Sequence, residues 1–505
     1  MNVAHLVEPV PPGDWQTIGL AFVGIMLLIG ASEGLRRSLG WPEEFTRKFV
    51  HILVGVMMFF IPILLDTALP MVLIALLFIV VNLVALQKGL LKGMHGARHS
   101  YGTVFYPLSF LILVVLCWPE NIVVIIAPMM VLALGDAAAA IVGESLKQPH
   151  EYVLIRDRKS FEGSFTMFLV SAIVIFLVLN FYPFQPLNAL SGGDALWFAL
   201  VAGLLVTAAE ALSSKGSDNL SVPLSTALVL YFFLNHSPDE NLRFTIGVAL
   251  GLVAALVSLK LGFLSESGAV ATFLLASIIF GFGGWRWTVP ILTFFVLSSL
   301  LSKSGKAIKK QFDLIFEKGD QRDWAQVVAN GGIAGMLMIA FMFFGDNRLF
   351  LLYLASLAAA TADSWGTEIG TFFRWQPRLI TNFRTVEPGT SGGITLPGTV
   401  GGGIGAFVIA LSGWLVFPEI AGDSPLSFIA MITGCGIAGS LLDSMLGATV
   451  QSQFRCDICG KITERTSHCD NSPTALISGF RRMNNDLVNI LCNAFAPLLC
   501  WFLIQ

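Results

Sequence analysis

Charge is what this chain has least of. Asp, Glu, Lys and Arg make up 12% of its 505 residues, against 55% hydrophobic residues, and the mean hydropathy is +0.76. That balance excludes a soluble globular domain, and no nucleic-acid partner is expected. The first fifteen residues hold Glu8 and Asp14 but no Lys or Arg, so a cleaved signal peptide is not expected. Cysteine occurs seven times, an odd number with three in one loop, which does not make a disulfide framework. The chain has no GxxxxGK[ST] phosphate loop and no HRD or DFG set. Any nucleotide chemistry here is of another type.

What the chain does have is apolar runs of membrane-spanning length. They predict an all-α, polytopic helical membrane protein of about sixteen spans. The first set lies near 16–35, 50–65, 70–87, 104–117, 121–143, 164–182, 195–212 and 220–235. The second lies near 243–260, 268–284, 288–302, 324–344, 349–370, 398–417, 427–448 and 486–503. With the N-terminus outside, 27 of the 30 Lys and Arg fall in inside loops, leaving only Arg243, Arg286 and Arg348 outside. One missed span would invert every later loop and spoil that partition. An even number of spans per half lets the second half repeat the first in parallel. NHSPDEN, Asn235 to Asn241, is the natural junction between expected domains 1–238 and 239–505.

A carboxylate at mid-span costs about 2.5–3.5 kcal/mol on insertion scales, so acids there usually have a task. Asp136 lies in the fifth span and Glu210 in the seventh; Asp363 lies in the thirteenth and Asp443 in the fifteenth. Gly143 follows Asp136 by seven residues, as Gly370 follows Asp363; Ser164 and Ser391 each lie 28 residues beyond their acid. This matching predicts a diverged tandem duplication with one polar site per half. A single acid could serve helix packing or a proton relay. Four, each beside an inside loop rich in Lys, Arg, Gly, Ser and Thr, suit a metal-nucleotide site. Carboxylates hold Mg²⁺ while cations and amide N–H groups hold phosphate oxygens. The densest such loop is RDRKSFEGSF, Arg156 to Phe165.

Residues 452–480 form an inside loop where Cys456, Cys459, His468 and Cys469 give C-x₂-C-x₈-H-C. The Cys-x-x-Cys pair is a familiar Zn²⁺ half-site, though adjacent His468 and Cys469 make an awkward second pair. Free thiols or a redox pair are the alternatives. Cys117, Cys435, Cys492 and Cys500 read as packing residues.

Five segments carry a resemblance. RKFVHILVG (Arg47–Gly55), YGTVFYPLS (Tyr101–Ser109), GDAAAAIVGE (Gly135–Glu144), RDRKSFEGS (Arg156–Ser164) and AEALSSKGSDNLSVP (Ala209–Pro223) resemble the CTP-dependent lipid-alcohol kinases. That family includes dolichol kinase, phytol kinase and the CTP-dependent diacylglycerol kinase. The second half looks like the phytyl-phosphate kinase family through LGFLSESGAVAT (Leu261–Thr272), DSWGTEIG (Asp363–Gly370), EPGTSGGI (Glu387–Ile394) and LLDSMLGATVQ (Leu441–Gln451). The resemblance implies consecutive reactions, from isoprenoid alcohol to monophosphate to diphosphate, with CTP or another nucleoside triphosphate as donor. Neighbouring sites would raise the effective concentration of an intermediate confined to the bilayer.

The resemblance also implies residue roles. Arg158, Lys159, Ser160, Gly163 and Ser164 would grip phosphates, and Glu162 would be a metal ligand or the base for the alcohol proton. Asp136 and Asp218 are further metal-ligand candidates, with Asn219 and Glu210 nearby. Asp363, Glu368, Asp443, Asn485 and Asp486 would act in the second half, with Lys303, Lys306, Gly389, Thr390 and Ser391 holding phosphate. His51 could be a packed residue or a phosphate contact. Mg²⁺ is the expected metal, with structural Zn²⁺ as the further candidate, and the active sites would face the cytoplasm from the inner membrane. Two other classes stay open: a transporter of an anionic or lipid-phosphate substrate, and cytidylyl transfer giving a CDP-lipid.

Overall fold

A computed structural model describes residue 6 and residues 8–88, 100–182, 190–304, 321–373, 375–469 and 472–505. The chain divides into two compact units, Met1–Asn241 and Leu242–Gln505. The protein is a polytopic helical membrane protein. Thirteen of the described helices are long and apolar enough to span a bilayer.

The first unit contains α1 (Pro12–Leu39), α2 (Glu43–Leu64), α3 (Leu69–Lys88), α4 (Gly102–Cys117), α5 (Val123–Ser145), α6 (Phe161–Phe181), α7 (Gly192–Ala211) and α8 (Asp218–Asn235). From α9 (Pro238–Lys260) the chain continues into α10 (Glu266–Ser304), α11 (Trp324–Phe344), α12 (Arg348–Phe372), α13 (Leu396–Val416), α14 (Pro425–Thr449) and α15 (Asn485–Leu503). Three places separate thirteen from the expected sixteen. Helix α4 has only 16 residues. Helix α8 begins with Asp218 and Asn219 and ends with Asn235, which lowers its hydropathy. The expected spans 268–284 and 288–302 form the single element α10, broken where Gly284 takes φ 61° and ψ −157°, a conformation glycine reaches without steric cost.

Each unit is built around one fully enclosed helix. In α12 every residue from Phe350 to Ala362 is buried, and α11, α13, α14 and α15 pack around it. Lipid tails are as apolar as leucine, so close contact rather than water exclusion must hold such helices together. Small residues supply it. A Cβ on Gly402 would stand 2.7 Å from the Ala362 carbonyl, and one on Gly436 2.8 Å from the Ala358 methyl. In the first unit α5 has the same place, buried from Val123 through Met129 and again from Val131 through Ala133. By contrast, α1 and α3 expose Leu20, Val23 and Leu27, and Leu76, Leu77 and Val80, the faces that lipid covers.

Each enclosed helix ends in a polar loop with a two-stranded hairpin. After α5 come β1 (Glu151–Tyr152) and β2 (Lys159–Ser160), paired antiparallel. After α12 come β3 (Arg378–Leu379) and β4 (Gly393–Ile394), also antiparallel. The next helix then starts in the same way in both units. Ser160 caps α6 by accepting from Gly163 N–H, and Thr395 caps α13 by accepting from Gly398 N–H, each at 3.1 Å. Against these caps lie Gly143 and Gly370, where a Cβ would come within 2.9 Å of Ser160 Oγ and 3.0 Å of Thr395 Oγ1. The equal 28-residue offset of Ser164 and Ser391 therefore does not mark equivalent places. Ser164 sits in the first turn of α6, whereas Ser391 precedes β4 and its cap. The residues that correspond by geometry are Ser160 and Thr395.

Candidate active site

The first unit encloses a cavity of about 1790 Å³. Its lining changes character along each helix in the same sense. On α2 it runs from Thr46, Arg47 and Lys48 through His51 and Val54 to Met58 and Ile61. The fifteen steps from Thr46 to Ile61 cover about 22 Å at 1.5 Å per residue. On α1 it runs from Arg37, Arg36 and Glu33 to Ile29 and Ile25, and on α4 from Gly102 and Thr103 to Phe110. The cavity is thus charged at its mouth and apolar in its depth.

Asp136 lies on α5 and lines this cavity. It ends a π-helical stretch, Val131–Asp136, within α5. Such wide turns recur at functional sites because they displace a side chain from the regular helical row. The Asp136 carboxylate interacts electrostatically with Asp218, Glu210, Lys159 and Arg47, so four elements contribute to one polar group. The Lys159 ammonium donates to the carboxylate and the backbone carbonyl of Glu210 and to Ser213 Oγ. Asp218, at the start of α8, accepts from the backbone N–H and side-chain amide of Asn219 at 3.0 and 3.1 Å. Gly163 and Ser164 also line the cavity, and Ser164 Oγ shares a 2.6 Å hydrogen bond with Tyr152 Oη. Ser160 serves mainly as the helix cap. Arg158 is largely exposed at the mouth, 3.6 Å from Glu151.

Glu162 is not brought to this group. It does not line the cavity, and its carboxylate accepts from the backbone N–H of His150 at 3.1 Å and meets the His150 ring Nδ1 at 2.6 Å. The first turn of α6 carries it away from Gly163 and Ser164, toward the loop before β1. Here it ties down the hairpin and touches neither metal-ligand candidates nor the cavity. His51 lines the cavity, packs edge-on to Tyr106 and has Nε2 3.4 Å from the Leu132 carbonyl. Three contributors had no signal in the sequence. Lys48 pairs with Glu144 at 2.7 Å beside the mouth. Asp157 accepts from Lys215 N–H at 2.9 Å, and Lys215 takes φ 53° to present that N–H. Tyr101 N–H donates to the Lys215 carbonyl, which joins the loops before α4 and α8.

In the second unit, Asp363 on α12 and Asp443 on α14 come together, and the two carboxyls act on one another electrostatically. Like charges in contact require a proton or a cation between them. Cys492 on α15 and Glu464 also act on Asp443. Glu464 was not expected: its Oε1 accepts from Ser391 Oγ at 2.9 Å and from Gln451 Nε2 at 2.8 Å. Glu368 lies one turn or so beyond Asp363 and interacts with half-buried Arg322. Burial works against the Arg322 charge, and the Glu368 carboxylate supports it. Thr390 is tied to Glu387 in a tight turn, and Gly389 and Gly392 on either side take positive φ. Asp486 is buried in the first turn of α15, with Asn485 before it. Lys303 lies 5.3 Å over the Phe263 ring and is not shown near the paired acids. Lys306 lies outside the described residues.

Comparison with known proteins agrees with this architecture. Residues 249–497 match the family described as integral membrane protein DUF92. An uncharacterized membrane protein of Methanocaldococcus jannaschii is 36% identical over 212 residues, 42% of this chain and 84% of that protein. Residues 249–497 belong to the DUF92 family of integral membrane proteins. Protein PGR of Arabidopsis thaliana is 33% identical over 277 residues, 50% of this chain and 93% of that protein. Phytol kinase of Synechocystis sp. is 32% identical over 222 residues, 43% of this chain and 91% of that protein. No solved structure matches. Asp363, Asp443 and the cysteine-bearing loop all fall inside the DUF92 segment, whereas the large cavity lies before it.

Proposed function

We propose that this protein is an isoprenoid-alcohol kinase whose first unit transfers a phosphoryl group from a nucleoside triphosphate, CTP foremost, to a phytol- or geranylgeraniol-type alcohol. The observation that carries this reading is the cavity, charged at its mouth and apolar in its depth, with Asp136 among the charges. An isoprenoid alcohol is a long apolar chain with one hydroxyl, and a nucleotide is a polyanion. One substrate suits each end. The alcohol oxygen would attack the γ-phosphorus as the bond from that phosphorus to the bridging oxygen breaks, releasing the nucleoside diphosphate. The hydroxyl proton would pass to a carboxylate, for which Asp136 is the candidate. Arg47 and Lys159 would balance phosphate charge, and most of the rate gain would come from positioning and electrostatics.

Asp136, Glu210, Asp218 and Asn219 offer hard oxygen donors on one cavity wall, which fits Mg²⁺. When bound, the ion neutralises phosphate charge. The similarity to the phytol kinase of Synechocystis sp. supports the same substrate class.

For the DUF92 segment the proposed step is the second one, from lipid monophosphate to diphosphate. Asp363 and Asp443 are the acids that would hold a cation, and Arg322 and the Glu387–Ile394 turn are the candidates for holding phosphate. The two steps together make the chain a fusion of two kinases, each unit with its own site. Its charge distribution supports a location of both sites at the cytoplasmic face of the inner membrane.

Purified protein incubated with phytol, geranylgeraniol and farnesol plus each nucleoside triphosphate is expected to yield mono- and diphosphates, identified by mass. A CDP-lipid would instead establish cytidylyl transfer, and no product from any alcohol would overturn the kinase reading. On the proposed orientation, cysteines introduced between residues 147 and 158 and between 376 and 392 should be labelled from the cytoplasmic side. One introduced at residue 190 should be labelled only from the opposite side. Labelling of all three from one side would refute that orientation.

A further inference from the structure

Residues 453–478 fold into a small four-stranded sheet, β6-β5-β8-β7, formed by β5 (Gln453–Cys456), β6 (Ile462–Thr463), β7 (Ser467–His468) and β8 (Ser472–Ser478). Among its described residues only Phe454, Cys456, Thr463 and His468 are buried, while Ile458, Ile462, Leu476 and Ile477 are exposed. A sheet this small cannot enclose an apolar core of its own and needs a staple. No disulfide supplies it, since all three cysteines are free thiols.

The staple is visible in the turns. Cys456 and Cys459 lie in the β5–β6 turn, closed by Gly460, which takes φ 71° and donates its N–H to the Cys456 carbonyl at 2.8 Å. His468 and Cys469 lie in the β7–β8 turn, where Cys469 takes φ 36° and its carbonyl accepts from Ser472 N–H at 3.2 Å. Pairing of β5 with β8 brings the turns together. The four ligand atoms then lie within 4.8 Å of one another. His468 Nδ1 is 3.5 Å from Cys459 Sγ and 3.2 Å from Cys469 Sγ. A tetrahedral ion with Zn–S near 2.3 Å and Zn–N near 2.0 Å puts such N and S atoms about 3.5 Å apart. The positive φ at Cys469 is what lets adjacent residues face one point, removing the awkwardness their sequence adjacency implied.

We propose that Cys456, Cys459, His468 and Cys469 bind one structural Zn²⁺, which fixes this sheet and with it Glu464, held between the two ligand pairs against Ser391 and Gln451. The ligand set is closed, with four protein atoms and no open position, so the ion is structural rather than catalytic. Its effect on the second unit runs through Glu464, whose charge reaches Asp443. The proposal does not depend on which reaction the protein performs.

Elemental analysis of the full-length protein, purified without chelator or added metal, should give about one zinc per chain. Growth in cobalt should give the visible absorption of tetrahedral Co²⁺ bound to thiolate. Cys459→Ser should lower the bound metal at least tenfold, whereas Cys459→His should keep it, because imidazole can replace the thiolate. If Cys459→Ser fails to fold, wild-type metal content and the cobalt spectrum still decide. Protein that contains no zinc, or zinc that remains after both Cys456→Ser and Cys459→Ser, would overturn the assignment.

Discussion

Asn in place of Asp136 is expected to lower phosphorylation of an isoprenoid alcohol by at least about a hundredfold while leaving the protein folded. The substitution keeps the size and shape of the side chain and removes its charge. A carboxylate that takes a proton or holds a cation in the transition state is worth roughly this much. Asp136 is also where Asp218, Glu210, Lys159 and Arg47 act on one another, so removing one negative charge changes the balance of the whole group. Glu162→Gln supplies the contrast. Its carboxylate faces His150 and not the cavity, and a pairing this close to the surface contributes little. Its rate should stay within about fivefold of wild type. Rates measured on both variants, with thermal unfolding as the folding control, separate the two assignments. Equal loss in both would return Glu162 to the site, and near-normal rates in Asp136→Asn would remove Asp136 from it.

The contrast shows where the sequence was informative. Asp136 and Asp363 could be picked out because a carboxylate inside an apolar run stands against its surroundings and costs energy to keep there. The fold places both just past the fully buried stretch of an enclosed helix. The direction of Glu162, toward His150, was not legible because neighbourhood in sequence, beside Lys159 and Gly163, says nothing of direction. The first turn of a helix sends neighbours to different sides, about 100° apart per residue. Arg322 and Glu464 gave no signal, since their relevance comes from long-range contacts with Glu368 and with Ser391 and Gln451. The Cys-x-x-Cys half of the metal site was legible from spacing. Its His-Cys half was named there too, but how adjacent residues face one point follows only from the backbone turn at Cys469. The spacing of Ser164 and Ser391 misled for a related reason: loops lengthen freely, so equal offsets need not survive in space, whereas the capping contact does.

The two-kinase reading makes a sharper demand. Supplied with alcohol and nucleotide, Asp363→Asn should accumulate lipid monophosphate at near wild-type rate and form no detectable diphosphate. Asp136→Asn should be inert toward alcohol yet convert added monophosphate to diphosphate normally. The expectation rests on the acids belonging to different groups. Asp136 shares its surroundings with Asp218, Glu210, Lys159 and Arg47; Asp363 shares its own with Asp443. All of the first set lie in the first compact unit and both of the second pair in the other. The chemistry of the two steps also differs. An alcohol must lose a proton as it attacks, whereas a lipid phosphate is already largely ionised near neutral pH and needs mainly charge neutralisation. The second unit should therefore show a weaker dependence on any general base, and its rate should fall less than the first as pH drops from 8 to 7. Mass analysis of the lipids formed by each variant, with both substrates supplied separately, decides the matter. Loss of both steps in each single variant would mean one composite site, and the assignment of one reaction to each unit would fall.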